Sequence, residues 1–369
     1  MNEKHGWIAP IDGLRAVAVL AVLVHHANAK PFANFALGNV GVVVFFAISG
    51  FLAYYVLHRD EQRLEHIDYN YFLLRRILRI WPACLAVIAF VWIISPRLVG
   101  WSSLFTFTSN WEMAAFRQWP PDKLAALWTI AVEEQFYVLA PGMYLLLRSR
   151  WKLPFCVAVF ALTNILRLWY VLTSTGAGNG GLYYASYAYA DTFLTGAIIA
   201  DWYTRHKAAS AISQRIAFCL ALPVLGFTLW AWALTVFPPY SLLTLCTYAV
   251  LPFGAGLLLF SALPLNRQPL DVFLSTAPMV WAGKLSYSLY LVHLPILFSL
   301  QFPNTSAVPR NVFFFVFAFA LAYCLYNAVE KPMLRLKDRV APSAAKFPWP
   351  SMLTWGAIII GLINYFRGA

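Results

Sequence analysis

Residues 12–28 read DGLRAVAVLAVLVHHAN, and the rest of the chain is read outward from them. The nine residues between Arg15 and His25 are all Ala, Val or Leu, an apolar run with an arginine at one end and a histidine pair at the other. Within a largely apolar chain, such a run reads as a membrane-spanning helix. Arg15 and His26 are eleven residues apart, nearly a whole number of helical turns. Their side chains therefore share one face, separated by about 16 Å along the axis, roughly half the hydrocarbon thickness of a bilayer. An ionisable residue inside a span is costly, which makes each of the two a functional-site hypothesis. In the competing reading Arg15 snorkels to the headgroups and His25 or His26 sits at the far interface. Asp12, at the expected helix start, reads as a cap that complements the helix dipole.

The chain has 369 residues, 61% hydrophobic and 11% charged, which excludes an ordinary soluble domain and predicts an all-α polytopic membrane protein. Its net charge of +12 is assigned to topology and anionic headgroups, with membrane lipids as partners and nucleic acid excluded. The five cysteines (Cys84, Cys156, Cys219, Cys246, Cys324) form no C-x-x-C and fall in apolar runs. They read as small core residues, giving neither a disulfide framework nor a metal site. The start, MNEKHGW, has no evident small-residue cleavage site after the first span, so that span is expected to be a retained anchor.

Eleven spans are expected, at about 12–29, 41–57, 77–95, 124–147, 154–173, 187–203, 215–236, 241–261, 278–300, 311–329 and 350–366. They enclose a buried polar cavity. The stretch 101–116 is too short and polar for an easy crossing and is expected to be re-entrant or interfacial. With the N-terminus cytoplasmic, the inside segments carry Lys4; Arg59, Arg63, Arg75 and Arg76; Arg148, Arg150 and Lys152; Arg205, Lys207 and Arg215; Arg267; and Lys331, Arg335, Lys337, Arg339 and Lys346. The outside segments carry only Lys30, Arg97, Arg117, Lys123, Arg310 and Arg367, and this bias fixes the orientation. The Gly-rich STGAGNGG (174–181) reads as a flexible outside loop. A polar break at 331–349 separates the last span from the preceding ten, and the chain is divided into a transmembrane domain, 1–335, and a linker with one further span, 336–369.

Orientation sorts the intramembrane polar residues into two layers. His26, Glu133, Glu134, Asp191 and His293 fall in the outer half, the inventory that a buried acid/base site needs. Arg15, Arg75, Arg76, Arg79 and Lys284 lie near the cytoplasmic face. The run Arg75-Arg76-Ile77-Leu78-Arg79 sets guanidinium forks at an expected helix start, which suits a phosphate. Topology alone accounts for the same arginines equally well. His293 either lines an acceptor site or is a packing residue, and Asp191 either serves the site or caps its helix. Ser49, in AISGFL, lets helices approach through the Ser-Gly pair rather than acting as a nucleophile. Trp111, in TFTSNWEMAAFRQW, is placed to stack on a sugar ring at the outer face.

These residues resemble the acyltransferase family 3 membrane proteins, bacterial O-acetyltransferases of surface polysaccharides, over roughly residues 8–335. IDGLRAVAVLAVLVHH carries the family's Arg-x10-His pattern on Arg15 and His26. GVVVFFAISGFL (41–52) is similar to its second-span signature, with Val43 where an acidic residue is common, which puts an acidic role there in doubt. FLLRRILRIWPA (72–83), LWTIAVEEQFYVLAP (127–141), SYSLYLVHLPIL (286–297) and NAVEKP (327–332) resemble its further motifs, with Glu133 the better match for the recurring acid. The resemblance implies acetyl transfer from acetyl-CoA to a sugar hydroxyl at the outer face of the bacterial inner membrane, with His26 catalytic and Arg15 essential. Some members carry a C-terminal esterase-like domain. None is present here, implying a stand-alone enzyme or a shortened chain.

The expected mechanism binds the CoA phosphates at Arg75, Arg76 and Arg79 with Lys284. His26 then acts as base, oriented by Glu133, or as acyl carrier, and His293, Asp191, Glu134 and Trp111 contact the saccharide acceptor. The rival class is a proton-coupled or lipid-linked-sugar transporter using the same His/Glu set. The absence of an inverted repeat speaks against it.

Overall fold

The computed structural model describes residues 7–27, 36–95, 101–115, 122–173, 180–206, 209–234, 242–299, 307–342 and 348–367. Most of the Gly-rich stretch 174–181, and the loop cations Lys4, Lys30, Arg97, Arg117, Lys207 and Lys346, fall outside them. The described residues hold helices and no strand. In chain order these are α1 (Ala9–His26), α2 (Leu37–Leu64), α3 (Tyr69–Ile94), the short α4 (Trp101–Phe105) and α5 (Ser109–Ala114), α6 (Trp128–Arg148), α7 (Lys152–Thr173) and α8 (Gly180–Tyr183). There follow α9 (Ala190–His206), α10 (Ala211–Leu234), α11 (Leu242–Ser261), α12 (Pro269–Leu274), α13 (Ala277–Ser299), α14 (Ala307–Leu325), α15 (Lys331–Arg339) and α16 (Trp349–Arg367). Every one of the eleven expected spans coincides with a helix of 17 residues or more. Six segments are long and apolar enough to cross a membrane by length and composition alone: Ala9–His26, Leu37–Leu64, Tyr69–Ile94, Lys152–Thr173, Ala211–Ala233 and Pro309–Arg339.

The burial pattern is that of helices solvated by lipid. On α7, Leu153, Val157, Leu162, Ile165, Trp169 and Leu172 are exposed, while its only buried residues are Thr163 and Arg167. The Arg167 guanidinium bonds within the protein, donating through Nη2 to the Ala188 carbonyl at 2.6 Å and through Nη1 to Asn164 at 3.3 Å. A soluble helix shows the reverse arrangement, because only hydrocarbon makes an apolar outer face cheap.

The chain forms two compact units, Met1–Tyr55 with Asp191–Tyr287, and Val56–Ala190 with Ser288–Ala369. In the first unit, α2 and α9 cross with their backbones in contact. A Cβ added at Gly50 would collide with the Phe193 carbonyl, and one at Gly196 with the Ala47 carbonyl. The rings of Phe46 and Phe193 pack beside this crossing at 4.8 Å. Helices in lipid gain little from burying apolar surface, so small residues that permit close approach supply the association. The Ser49–Gly50 pair thus serves helix approach.

In the second unit, α3 packs against α6, α15 and α16. It starts at Tyr69, earlier than the expected residue 77, with Asp68 as its cap accepting from the Tyr71 amide at 2.9 Å. The 101–116 stretch forms α4 and α5, too short to cross, joined through Phe107 in the left-handed region (φ 53°). A single π-helical turn, Tyr326–Glu330, joins α14 to α15, so the chain stays helical to Arg339, into the expected break at 331–349. Buried Glu330 accepts from Ser288 Oγ at 2.7 Å. The last span, α16, docks on α3, where Trp355 Nε1 donates to Tyr69 Oη at 2.9 Å.

Gly196→Ala is expected to destabilise the solubilised protein by about 1–3 kcal/mol, because the added methyl meets backbone. Gly142→Ala, where nothing lies within 4 Å of the new Cβ, is the control and should leave the melting temperature unchanged. Equal melting temperatures for the two variants in a thermal shift measurement would show that α2 and α9 are not in backbone contact.

Candidate functional site

In the first unit, α1 presents the Arg15–His26 face to protein. Val19 and Val22, which lie between those residues on that face, are buried, whereas Val17 on the opposite side is 41% exposed. The snorkelling alternative does not describe Arg15, whose side chain is only 12% exposed and sits 3.7 Å from Asp12. Asp12 is not the cap: the helix begins at Ala9 with Ile8 as its cap residue, and Asp12 lies in the first turn, where it also accepts from Trp7 Nε1 at 2.7 Å. The Lys284 ammonium lies 5.1 Å above the Trp7 ring, and Gly283 lets α13 touch the backbone at Asp12. Arg15 and Lys284 thus both lie near the N-terminal end of α1.

At the other end of α1, His26 Nδ1 lies 2.9 Å from the Val22 carbonyl oxygen. A carbonyl only accepts, so Nδ1 carries the proton and Nε2 is the nitrogen able to take one. The helix's own backbone thus sets the tautomer, a task usually given to a carboxylate. His25 stands edge-on to His26, ring centroids 5.2 Å apart, and packs against Gly38 of α2. Asp191, in the first turn of α9, is fully buried and accepts from Thr192 Oγ1 at 3.3 Å. Sequence reasoning passed over Asp201. It is fully buried, accepts from Tyr54 Oη, and pairs with Arg205 Nε at 2.7 Å. The Asp201/Arg205 spacing of four was the available signal.

The second unit holds Arg75, Arg76, Arg79, Trp111, Glu133, Glu134 and His293. The three arginines were expected at a helix start. Because α3 begins at Tyr69, they lie beyond the first turn, where the dipole contributes little. They also differ in employment. Arg75 is paired with Asp60 and lies 4.6 Å over the Tyr71 ring. Arg76 is buried between Phe72 and Tyr137, its guanidinium carbon 5.2 and 4.7 Å from the ring centroids. Arg79 forms no ion pair among the described residues.

Tyr137 Oη donates to Glu133 Oε1 at 2.6 Å, so Glu133, Tyr137 and Arg76 form one connected group across α3 and α6. Glu134 is buried close to Trp81, Cys84 and Arg76. His293, fully buried, donates through Nδ1 to the Tyr290 carbonyl at 2.6 Å, and Tyr290 Oη in turn accepts from Thr129 at 2.9 Å. Trp111 is held edge-on by Gln135, its Nε1 donating to Oε1 at 3.0 Å, with its ring 6.2 Å from that of Tyr187. Just after α8, where the Tyr184 ring packs edge-on to those of Trp128 and Tyr183, burial pushes its phenol up to about 12.

Fold and site together define a helical, multi-span membrane protein with histidines and carboxylates held among its helices. The family model described as "Acyltransferase domain" matches residues 8–328, and the chain belongs to that family, acyltransferase family 3. It is similar to the O-acetyltransferase OatA of Staphylococcus aureus (strain NCTC 8325 / PS 47), 28% identical over 355 residues covering 89% of this chain and 57% of that protein. The putative peptidoglycan O-acetyltransferase YrhL of Bacillus subtilis (strain 168) is 28% identical over 372 residues, covering 90% of this chain and 56% of YrhL. The peptidoglycan O-acetyltransferase OatA of Listeria monocytogenes serovar 1/2a is 26% identical over 390 residues, covering 98% and 57%. The chain thus spans a little over half the length of these relatives. No solved structure matches it significantly.

The division of labour among the arginines has a measurable consequence. Arg75→Ala is expected to destabilise the protein by about 1–3 kcal/mol by removing the nearest cation from Asp60, which keeps only the 4.0 Å contact with Arg63, and Arg75→Ala with Asp60→Ala should recover part of that loss. Arg79→Ala should leave stability unchanged. A double-mutant cycle with zero coupling between Arg75 and Asp60 would remove the pair from the account.

Proposed function

We propose that this chain transfers an acyl group, acetyl in the first instance, from acyl-CoA across the bacterial inner membrane to a hydroxyl of a cell-wall saccharide. The observation that carries this reading is the acyltransferase match over residues 8–328. The similarity to peptidoglycan O-acetyltransferases favours a peptidoglycan glycan over an O-antigen or exopolysaccharide. The N-terminus is placed in the cytoplasm, where the basic ends of the spans meet the donor.

In this reading His26 is the catalytic group. Its Nε2 accepts the proton of the acceptor hydroxyl, or carries the acyl group, while the hydrogen bond from Nδ1 to Val22 supports the charge that develops on the ring. Arg15 supplies a fixed positive charge on the same face, one half-bilayer away. In the second unit, Glu133 with Tyr137 is a further proton-transfer group, and Trp111 offers an aromatic surface for a sugar ring. CoA brings phosphates and a thioester, and a cluster of cations not consumed by carboxylates is the feature that fits it.

His26→Ala is expected to lower acetyl transfer from acetyl-CoA to a muropeptide by at least ~10²-fold, with folding and CoA binding retained. Transfer by that variant at the wild-type rate would remove His26 from the mechanism. Wild-type protein that moves saccharide but never releases free CoA from acetyl-CoA would establish the transporter instead.

A further inference from the structure

The function proposed above makes no use of Gln135, which follows Glu133 and Glu134 on α6. Its side-chain amide is fully employed. Nε2 donates to the Phe107 carbonyl at 2.7 Å and to Asn110 Oδ1 at 2.9 Å. Oε1 accepts from Trp111 Nε1 at 3.0 Å and from Ser186 Oγ at 2.6 Å. A carbonyl only accepts and an indole N–H only donates, so the amide has a single orientation, and its bonding capacity is filled by the protein. Asn110, fully buried, closes the network by donating to Ser186 Oγ at 2.9 Å and to the Tyr184 carbonyl at 3.2 Å.

One side chain of α6 thus ties α5 to the segment that follows α8. The tie includes Phe107, whose left-handed backbone (φ 53°) is a costly conformation for a residue with a Cβ and persists only where the surroundings over-determine it. Gln135 holds its carbonyl, and Trp81 packs on its ring at 5.0 Å. The segment after α8 is fixed a second time by Trp128, against which Tyr183 and Tyr184 pack at 5.0 and 5.3 Å. What these restraints hold in place is not core. Trp111 and Tyr187 are only partly buried, with ring centroids 6.2 Å apart and planes inclined at 46°. Rings so close admit no sugar between them, so a ligand stacks on an open face. Packing alone has no need to fix partly uncovered rings this firmly, whereas recognition does. A pyranose turns faces of C–H bonds to aromatic rings and keeps its hydroxyls for polar partners.

We propose that Trp111 and Tyr187 form a binding site for a sugar ring and that Gln135 is its positioning residue. Gln135 touches no sugar and acts by holding the Trp111 indole in one orientation through Nε1. Identifying the sugar as part of the acyl acceptor rests on the function proposed above.

The test uses the full chain in nanodiscs, with Gln135→Met, Trp111→Phe, the double variant, Tyr187→Ala and the exposed control Leu139→Ala. Equilibrium binding of an N-acetylglucosamine oligosaccharide is measured, together with the kinetics of acetyl transfer to a muropeptide. Gln135→Met is expected to weaken oligosaccharide binding about tenfold and to raise KM for the muropeptide by a similar factor, with kcat and KM for acetyl-CoA unchanged. Tyr187→Ala should do likewise, and Leu139→Ala should change nothing. Trp111→Phe keeps a ring but loses the Nε1 donor, so the double variant should bind no more weakly than Trp111→Phe alone. Oligosaccharide binding that these variants lose, in a wild type that transfers no acetyl group, would keep the site and sink the acceptor assignment. A lower kcat with an unchanged KM for the muropeptide, or additive losses in the double variant, would make Gln135 a purely structural residue and overturn its positioning role. Should Gln135→Met fail to fold, Trp111→Phe and Tyr187→Ala decide. Wild-type affinity in both, or no oligosaccharide binding by the wild type, overturns the proposal.

Discussion

Hydrocarbon offers no hydrogen bonds, so every polar group placed among these helices has to be satisfied by the chain itself. That constraint shapes several of the buried polar residues. His26 and His293 turn Nδ1 onto a carbonyl three or four residues earlier in their own helices. Arg167 reaches the Ala188 carbonyl, and Glu330 takes the Ser288 hydroxyl. For the two histidines the consequence is chemical as well as structural. A backbone carbonyl that accepts from Nδ1 dictates the tautomer and leaves Nε2 as the basic atom, so one hydrogen bond meets the folding requirement and also sets the ring's chemistry.

The same constraint explains how the helices associate. With little hydrophobic gain between apolar faces already solvated by lipid, helices hold together where backbones approach closely or where polar groups pair. The crossing of α2 and α9 at Gly50 and Gly196 is the first kind of contact. The carboxylate of Asp201, shared by Tyr54 and Arg205, is the second, and it lies on the same two helices. A tight crossing and a buried polar contact on one helix pair reinforce each other, because the crossing fixes the geometry that the hydrogen bonds need.

Hydropathy made all eleven long helices legible in the sequence, because a span announces itself by length and composition. The Arg15–His26 face was legible for a similar reason: both residues sit on one helix, where spacing converts directly to angle. What escaped was everything decided between elements distant in sequence. Nothing in RRILR says that Asp60 will take Arg75, or that Tyr137 will stack on Arg76. The early start of α3 escaped as well, since Asp68 caps a stretch whose first turns are too polar for hydropathy to count. That boundary matters, because it moves the arginines beyond the first turn, out of reach of the helix dipole.

Charge count alone therefore separates topological cations from functional ones poorly. The useful distinction is what each cation does with its charge. Arg335 and Arg339 are exposed, where a headgroup layer stabilises them cheaply. Arg75 and Arg148 are neutralised by Asp60 and Glu61. Such pairs hold helix ends together and have little left to offer a ligand. Only cations that are withdrawn from solvent, set beside other cations and short of carboxylates retain free energy that an incoming anion can release.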